Sequence, residues 1–344
     1  MLRKALEKAW QQRGWLACLL WPVAQVYGFA VAVRKLLFRH RLLTSSWAGI
    51  PTIVVGNVIV GGAGKTPLVM LLVRHLQDCG YRVGVISRGF GRTGAECLEV
   101  RPETPVDKSG DEPALVKRIT GVPIFVASRR LDAAAALLAA YPDTQVLISD
   151  DGLQHYALQR DIEIAVFDDR GVGNGWLLPA GPLREHWPKR LSEGVDLVLH
   201  TGEAPAFDGF TSSRRLADYA IAADGSATPL VSLIGKPLVA LAGIANPQAF
   251  FYMLRSRGLT LAQTFELPDH FDFSAFHHKL CANTPVLCTE KDAMKLFQAP
   301  AFKSLKLLAI PLEFVASPDF LMALDSLVTP LVSDLPFRHG HKIT

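Results

Sequence analysis

One segment restricts the fold more than any other part of the chain. A β-branched run, Thr52-Ile53-Val54-Val55, enters Gly56-Asn57-Val58-Ile59-Val60-Gly61-Gly62-Ala63-Gly64-Lys65-Thr66-Pro67, and a largely apolar stretch continues to Cys79. The β-branched run reads as a strand, because such side chains suit a pleated, packed surface. Glycines at 61, 62 and 64 let successive backbone N–H groups turn toward one centre and approach an anion closely. Pro67 fits a first helical turn, where its missing N–H has no intrahelical use. Strand, glycine-rich turn, Gly-Lys-Thr and helix, in that order, are the context of a phosphate-binding loop. The loop comprises Ile59, Val60, Gly61, Gly62, Ala63, Gly64, Lys65 and Thr66. Lys65 is expected to reach the β- and γ-phosphates of a nucleotide, and Thr66 to hold Mg²⁺ through its hydroxyl. One position departs from the full pattern, which has glycine five residues before Gly64 where this chain has Ile59.

Mg²⁺ beside such a loop needs a carboxylate from the end of another strand. Val146-Leu147-Ile148-Ser149-Asp150-Asp151 supplies two, at the end of an apolar run. Around these motifs short apolar runs alternate with helical stretches. Strands are read at 52–55, 82–86, 145–149, 162–167 and 195–200, and helices at 67–79, 112–119 and 131–141. That alternation signals a mainly parallel sheet covered on both faces. Residues 213–236, short β-like runs with Gly, Ser and Pro, read as a connecting ribbon. Strands at 238–242, 260–265, 285–289 and 307–310 and a helix at 248–257 then form a smaller unit. The fold class is therefore α/β. A P-loop NTPase domain with a mainly parallel sheet covers 46–212. A β-ribbon linker at 213–236 joins it to a C-terminal α/β domain at 237–334, and a tail occupies 335–344.

The formal charge of +4 is unevenly placed. Residues 1–45 carry eight basic side chains and one acid, Glu7, for +7, whereas the remaining 299 residues carry 28 basic and 31 acidic side chains, for −3. The acidic body offers no footprint for nucleic acid. Between the basic flanks, Gly14 to Val33 holds no charged residue over twenty positions, about the length needed to cross a hydrocarbon core. Trp15, Trp21 and Tyr27 suit a membrane interface, and the basic flanks suit anionic headgroups. Residues 1–45 are read as a hydrophobic helix inserted in, or lying on, the inner face of a membrane. Five cysteines without a CxxC pair point to a reducing compartment.

Several further runs are unusually specific. They include Asp150-Asp151-Gly152-Leu153-Gln154-His155, Arg160-Asp161, and Leu178-Pro179-Ala180-Gly181-Pro182-Leu183-Arg184-Glu185. Ser87-Arg88-Gly89-Phe90-Gly91-Arg92, Gly110-Asp111-Glu112-Pro113, Ala242-Gly243-Ile244-Ala245-Asn246-Pro247, Asp269-His270 and Thr289-Glu290-Lys291-Asp292 join them. Together with the glycine loop they make the chain resemble the tetraacyldisaccharide 4′-kinases, the lipid A kinases, from the N-terminal apolar segment to about Asp292. This family's loop tolerates a residue other than glycine at the Ile59 position.

The resemblance implies a membrane-associated enzyme on the cytoplasmic face of a Gram-negative inner membrane. Its reaction would move the γ-phosphate of ATP to the 4′-hydroxyl of a tetraacylated disaccharide 1-phosphate, with ATP and Mg²⁺ as cofactors. The implied partners are the lipid substrate and the membrane, and no obligate protein partner is evident. A sugar hydroxyl is a poor nucleophile at neutral pH, so a base is required. Asp111 is the candidate by analogy with the family, and His270 is the residue paired with it, a dyad completed on closure. Thr66, Asp150 and Asp151, helped by Glu185, form the expected Mg²⁺ set. Asn57, Arg88, Gln154, His155 and Arg184 are expected on the substrate, with Arg184 suited to a phosphate on the acceptor or in transfer. The competing reading is a membrane-recruited P-loop ATPase or GTPase acting as a switch or assembly factor. No Asn-Lys-x-Asp is present to specify guanine, and Thr289-Glu290-Lys291-Asp292 has the wrong spacing.

Overall fold

The structure, a computed structural model, describes residues 6, 9–188, 195–269, 271–273, 276 and 284–334. The chain forms two compact units. The first comprises Met1–Arg88, Val122–Ser213 and the chain from Val315 onward; the second comprises Gly89–Gly121 and Arg214–Phe314. His270, Cys281 and the 335–344 tail lie outside the described residues.

In the first unit the strand Thr52–Gly56 is buried along its whole length. It pairs in parallel with Val146–Asp150 on one side and with Ile162–Phe167 on the other. Val83–Ser87 and Ile124–Val126 extend the sheet beyond the first neighbour, and Leu197–His200 and Phe210–Leu216 beyond the second. Strands buried on both faces need continuous apolar runs, which is how the central ones read, whereas Phe210–Leu216, with Ser212, Ser213, Arg214 and Arg215, is largely exposed. Register does the positioning: Val55 lies opposite Asp150. The two carboxylates therefore emerge level with the start of the glycine loop, at the carboxyl edge of the strands where open α/β sheets bind ligands.

The helix Lys65–Asp78 follows the loop and buries Leu68, Val69, Leu72, Val73 and Leu76 at helical spacing. Ile59 is 1% exposed and belongs to a core cluster with Val54, Val58, Phe167, Leu177 and Leu183. The departure from glycine thus has a packing cause: this side chain fills the core beneath the loop. The helix Pro318–Ser333, which the sequence reading left unassigned, buries Phe320, Leu324, Val328 and Val332. Asp325 bonds His75 at 2.7 Å, tying that helix to the one headed by Lys65.

The apolar N-terminal segment is one helix, Trp15–Arg39. Ala17 and Ala24 face inward, and Leu20 and Tyr27 pack on the same core cluster as Ile59. Small residues let the helix approach closely. Its opposite side exposes Trp15, Leu19, Val26 and Phe29, each at least 67% accessible.

The second unit holds a six-stranded sheet. Leu261–Glu266, Leu238–Ala242, Val286–Thr289 and Leu307–Ile310 are parallel neighbours. Tyr219–Ile221 and Ala227–Pro229 continue it as an antiparallel pair. Two three-residue stretches of the expected 213–236 ribbon are therefore part of this sheet, followed by a short turn of 3₁₀ helix at Leu230–Leu233. The division of the chain differs from the sequence reading in two further places. Gly89–Gly121 belongs with the second unit because the helix Asp111–Thr120 packs on the helix Glu290–Leu296. Lys295–Asp111 at 2.9 Å and Lys291–Glu112 at 3.5 Å tie the two together, and Arg118 lies over the Phe297 ring. The segment after Phe314 belongs with the first unit through the packing of Pro318–Ser333.

Candidate active site

Gly64 adopts φ +84°, a left-handed conformation that a side chain would strain, and from it the helix Lys65–Asp78 begins. Lys65 is thereby placed at the helix N-terminus, where unpaired N–H groups and the helix dipole favour anions. Its ammonium donates to Asn57 Oδ1 at 3.0 Å and lies 3.3 Å from Asp151 Oδ1. Asn57 donates from its amide nitrogen to Gly61 O at 3.0 Å and is fully buried. Its side chain thus braces the loop and its lysine, in place of the substrate contact expected from the resemblance.

Asp151 follows the strand Val146–Asp150 with φ +48°. Arg130, almost fully buried, holds this turn by donating to Asp150 O at 3.1 Å and Asp151 O at 3.4 Å. Arg184 donates to Asp151 Oδ1 at 3.2 Å and to Gln154 Oε1 at 3.4 Å. Burial pushes the Asp151 carboxyl up, but Lys65 and Arg184 outweigh it, so the pKa falls below the usual carboxylate range. Asp151 is therefore an anion between two cations. Thr66, one residue into the helix, makes no hydrogen bond through its hydroxyl among the described residues. The Thr66 hydroxyl and the Asp150 and Asp151 carboxylates are hard oxygen donors, the chemistry Mg²⁺ prefers.

Glu185 stands elsewhere. It is fully buried, and its carboxylate accepts from Gln154 Nε2 at 2.8 Å and Tyr156 OH at 2.8 Å, with Lys35 Nζ at 2.7 Å. These three donors come from the protein itself, so Glu185 also ties the N-terminal helix to the turn after Asp151. Burial, and then this carboxylate, hold the Tyr156 phenol protonated. Tyr27 donates to Arg184 O at 2.8 Å. The N-terminal helix is thus fastened to both residues of the Arg184-Glu185 pair. Gly181, in the turn before that pair, has no room for a side chain: a Cβ there would collide with Trp176 O and Asn174 Oδ1.

His155 sits in the same turn. Burial, followed by Arg130, Arg160, Arg34 and Arg88, pushes its pKa down to about 4, so it is neutral at physiological pH. Arg88 is exposed at the end of Val83–Ser87.

In the second unit Asp111 is 6% exposed, at the start of its helix and beside Lys295. Lys291 bridges Glu112 and Asp269, and Asp292 is buried, accepting from Thr289 Oγ1 at 2.7 Å and Gly243 N at 3.0 Å. The Thr-Glu-Lys-Asp run is therefore built into this unit's own frame. Sequence reasoning missed Lys35, Tyr156 and Lys295, and it read Tyr27, which packs inward and bonds Arg184 O, as a membrane-interface residue. Of the three missed, Lys35 carried a signal, as a charge at the end of an apolar stretch.

A parallel sheet whose central strand feeds a glycine loop, with Gly-Lys-Thr heading a helix and two carboxylates ending the adjacent strand, defines a P-loop kinase fold. The crystal structure of the "apo" form of LpxK from Aquifex aeolicus in complex with ATP is similar, with TM-score 0.78 and 27% identity, covering 92% of this chain and 99% of that one. The family model for tetraacyldisaccharide-1-P 4′-kinase, LpxK, matches residues 16–329. The tetraacyldisaccharide 4′-kinase of Polaromonas naphthalenivorans (strain CJ2) is 64% identical over 343 residues, spanning 100% of both chains. That of Polaromonas sp. (strain JS666 / ATCC BAA-500) is 64% identical over 335 residues, 97% of this chain and 99% of its own. This chain belongs to the LpxK family of tetraacyldisaccharide-1-phosphate 4′-kinases.

Proposed function

We propose that this chain transfers the γ-phosphate of ATP to the 4′-hydroxyl of a tetraacyldisaccharide 1-phosphate at the cytoplasmic face of the inner membrane. The observation that carries this reading is the phosphate loop with Lys65 held between Asn57 and Asp151. In the transfer, the acceptor O–H loses its proton, its oxygen bonds to the γ-phosphorus, and the bond to the β-phosphate bridging oxygen breaks, releasing ADP. Asp111 takes the proton, as the family likeness suggests, with its carboxylate held 2.9 Å from the Lys295 ammonium. Lys65 and Arg184 offset negative charge on the phosphates. Thr66, Asp150 and Asp151 would hold Mg²⁺, which neutralises phosphate charge when bound.

The acceptor's acyl chains keep it in the bilayer, so the enzyme must work at the headgroup plane. The N-terminal helix is long and apolar enough to cross a membrane. One face is already bonded to the protein through Tyr27 and Lys35. That favours a helix lying in the interface with Trp15, Leu19, Val26 and Phe29 embedded.

Asp111→Asn tests the chemical assignment. Transfer is expected to fall about 10²–10⁴-fold, the range for loss of a general base, with ATP affinity retained. Near-normal turnover would overturn the role.

A further inference from the structure

We infer that Arg170 and Thr201 are positioning residues that set the direction of the phosphate loop's N–H groups before a nucleotide arrives. The inference rests on the reading of this loop as the ATP site.

In a trans peptide the C=O and the following N–H point in opposite directions. Whatever grips a loop carbonyl therefore aims the next residue's N–H away from the grip. Four consecutive carbonyls are gripped by side chains. Arg170 Nη1 donates to Val60 O at 3.2 Å, and Asn57 Nδ2 donates to Gly61 O at 3.0 Å. Arg170 Nη2 donates to Gly62 O at 2.9 Å, and Thr201 Oγ1 donates to Ala63 O at 2.9 Å. The N–H groups so aimed are those of Gly61, Gly62, Ala63 and Gly64. Among the described residues none of the four donates to a protein acceptor. They are a row of oriented, unengaged donors, the arrangement that binds phosphate oxygens.

The two grips stand on neighbouring parallel strands. Thr201 directly follows Leu197–His200, and Asp168, which directly follows Ile162–Phe167, fixes Arg170. Asp168 accepts from Arg170 Nε at 3.0 Å and Nη2 at 2.7 Å. With its charge balanced by Asp168 and two of its nitrogens on carbonyls, Arg170 acts on the loop's backbone and is not a phosphate ligand. The benefit is preorganisation. Glycine-rich segments lose the most conformational freedom on ordering, and donors fixed in advance avoid that loss when the ligand binds.

The full-length protein in detergent provides the test, through equilibrium ATP binding and steady-state kinetics of Arg170→Ala, Arg170→Lys and Thr201→Val. Arg170→Ala is expected to weaken ATP binding and raise its KM about tenfold, the low end of the loss when an orienting partner is removed. The KM for the lipid acceptor and the melting temperature should stay near wild type. Arg170→Lys should recover part of the loss, since an ammonium lacks the planar fork that reaches two carbonyls together. Thr201→Val keeps the side chain's shape and should weaken ATP alone. If Arg170→Ala does not fold, Thr201→Val and Asp168→Asn decide the matter. ATP binding unchanged in these variants, or equal losses for ATP and acceptor, would overturn the inference. Wild-type protein that binds no ATP would overturn the kinase reading, and this inference with it.

Discussion

Asp151 and His155, four residues apart in one turn, show how opposite charge environments arise from a few side chains. Asp151 lies between Lys65 and Arg184 and stays ionised. His155 is half-buried among arginines and stays neutral, with its pKa near 4. In the unfolded chain a histidine titrates near 6.5. Between those values the unfolded state holds the proton and the folded state does not, so stability falls as pH drops from about 6.5 to about 4. His155→Asn is expected to flatten that slope in denaturant melts at pH 7 and pH 5; an unchanged slope would contradict the assignment. At this scale the sequence revealed what local pattern encodes. Gly61, Gly64, Lys65, Asp150 and Asp151 were legible because a strand, a turn and a helix cap dictate them. The protein partners of Glu185 and Asn57, Lys35 and Tyr156 for one and Gly61 and Lys65 for the other, were not legible, because they are set by tertiary packing.

The N-terminal helix is the element whose composition was easiest to read and whose geometry was hardest. Its apolar length was plain from residues 14–33. Which face would be covered was not, because nearly every position is apolar and no periodicity separates the sides. The structure resolves this with Ala17 and Ala24 inward and the large side chains outward. Removing the helix would leave the Glu185 carboxylate without Lys35, so truncation confounds anchoring with unfolding. Substitution of the exposed face separates them. Trp15→Ser with Phe29→Ser is expected to move the protein from anionic vesicles into the supernatant in a flotation assay, with its melting temperature retained. Full retention on the vesicles would remove this face from the membrane contact. The second unit's sheet was also largely legible. Its antiparallel strands, Tyr219–Ile221 and Ala227–Pro229, are three residues each, too short to show an alternation of their own.

Across the whole molecule the chemistry is divided by unit. The loop, Asp150, Asp151, Arg184 and the apolar N-terminal helix belong to the first, and Asp111, Lys295, Asp269 and Lys291 to the second. The sequence placed Asp111 in the wrong unit because Gly89–Gly121 lies between two strands of the first sheet, and chain order alone suggests continuity. The true partners of Asp111 and Glu112, Lys295 and Lys291, are some 180 residues away and follow from helix packing. The uneven charge also fits the proposal at this scale: a +7 segment suits anionic headgroups, whereas the other 299 residues carry −3. The most direct measurement follows label from the γ-phosphate of ATP in the presence of Mg²⁺ and tetraacyldisaccharide 1-phosphate in detergent. The account predicts label on the lipid, esterified at the 4′-oxygen and lost with Lys65→Ala. Label released only as inorganic phosphate, with the lipid unlabelled, would contradict it.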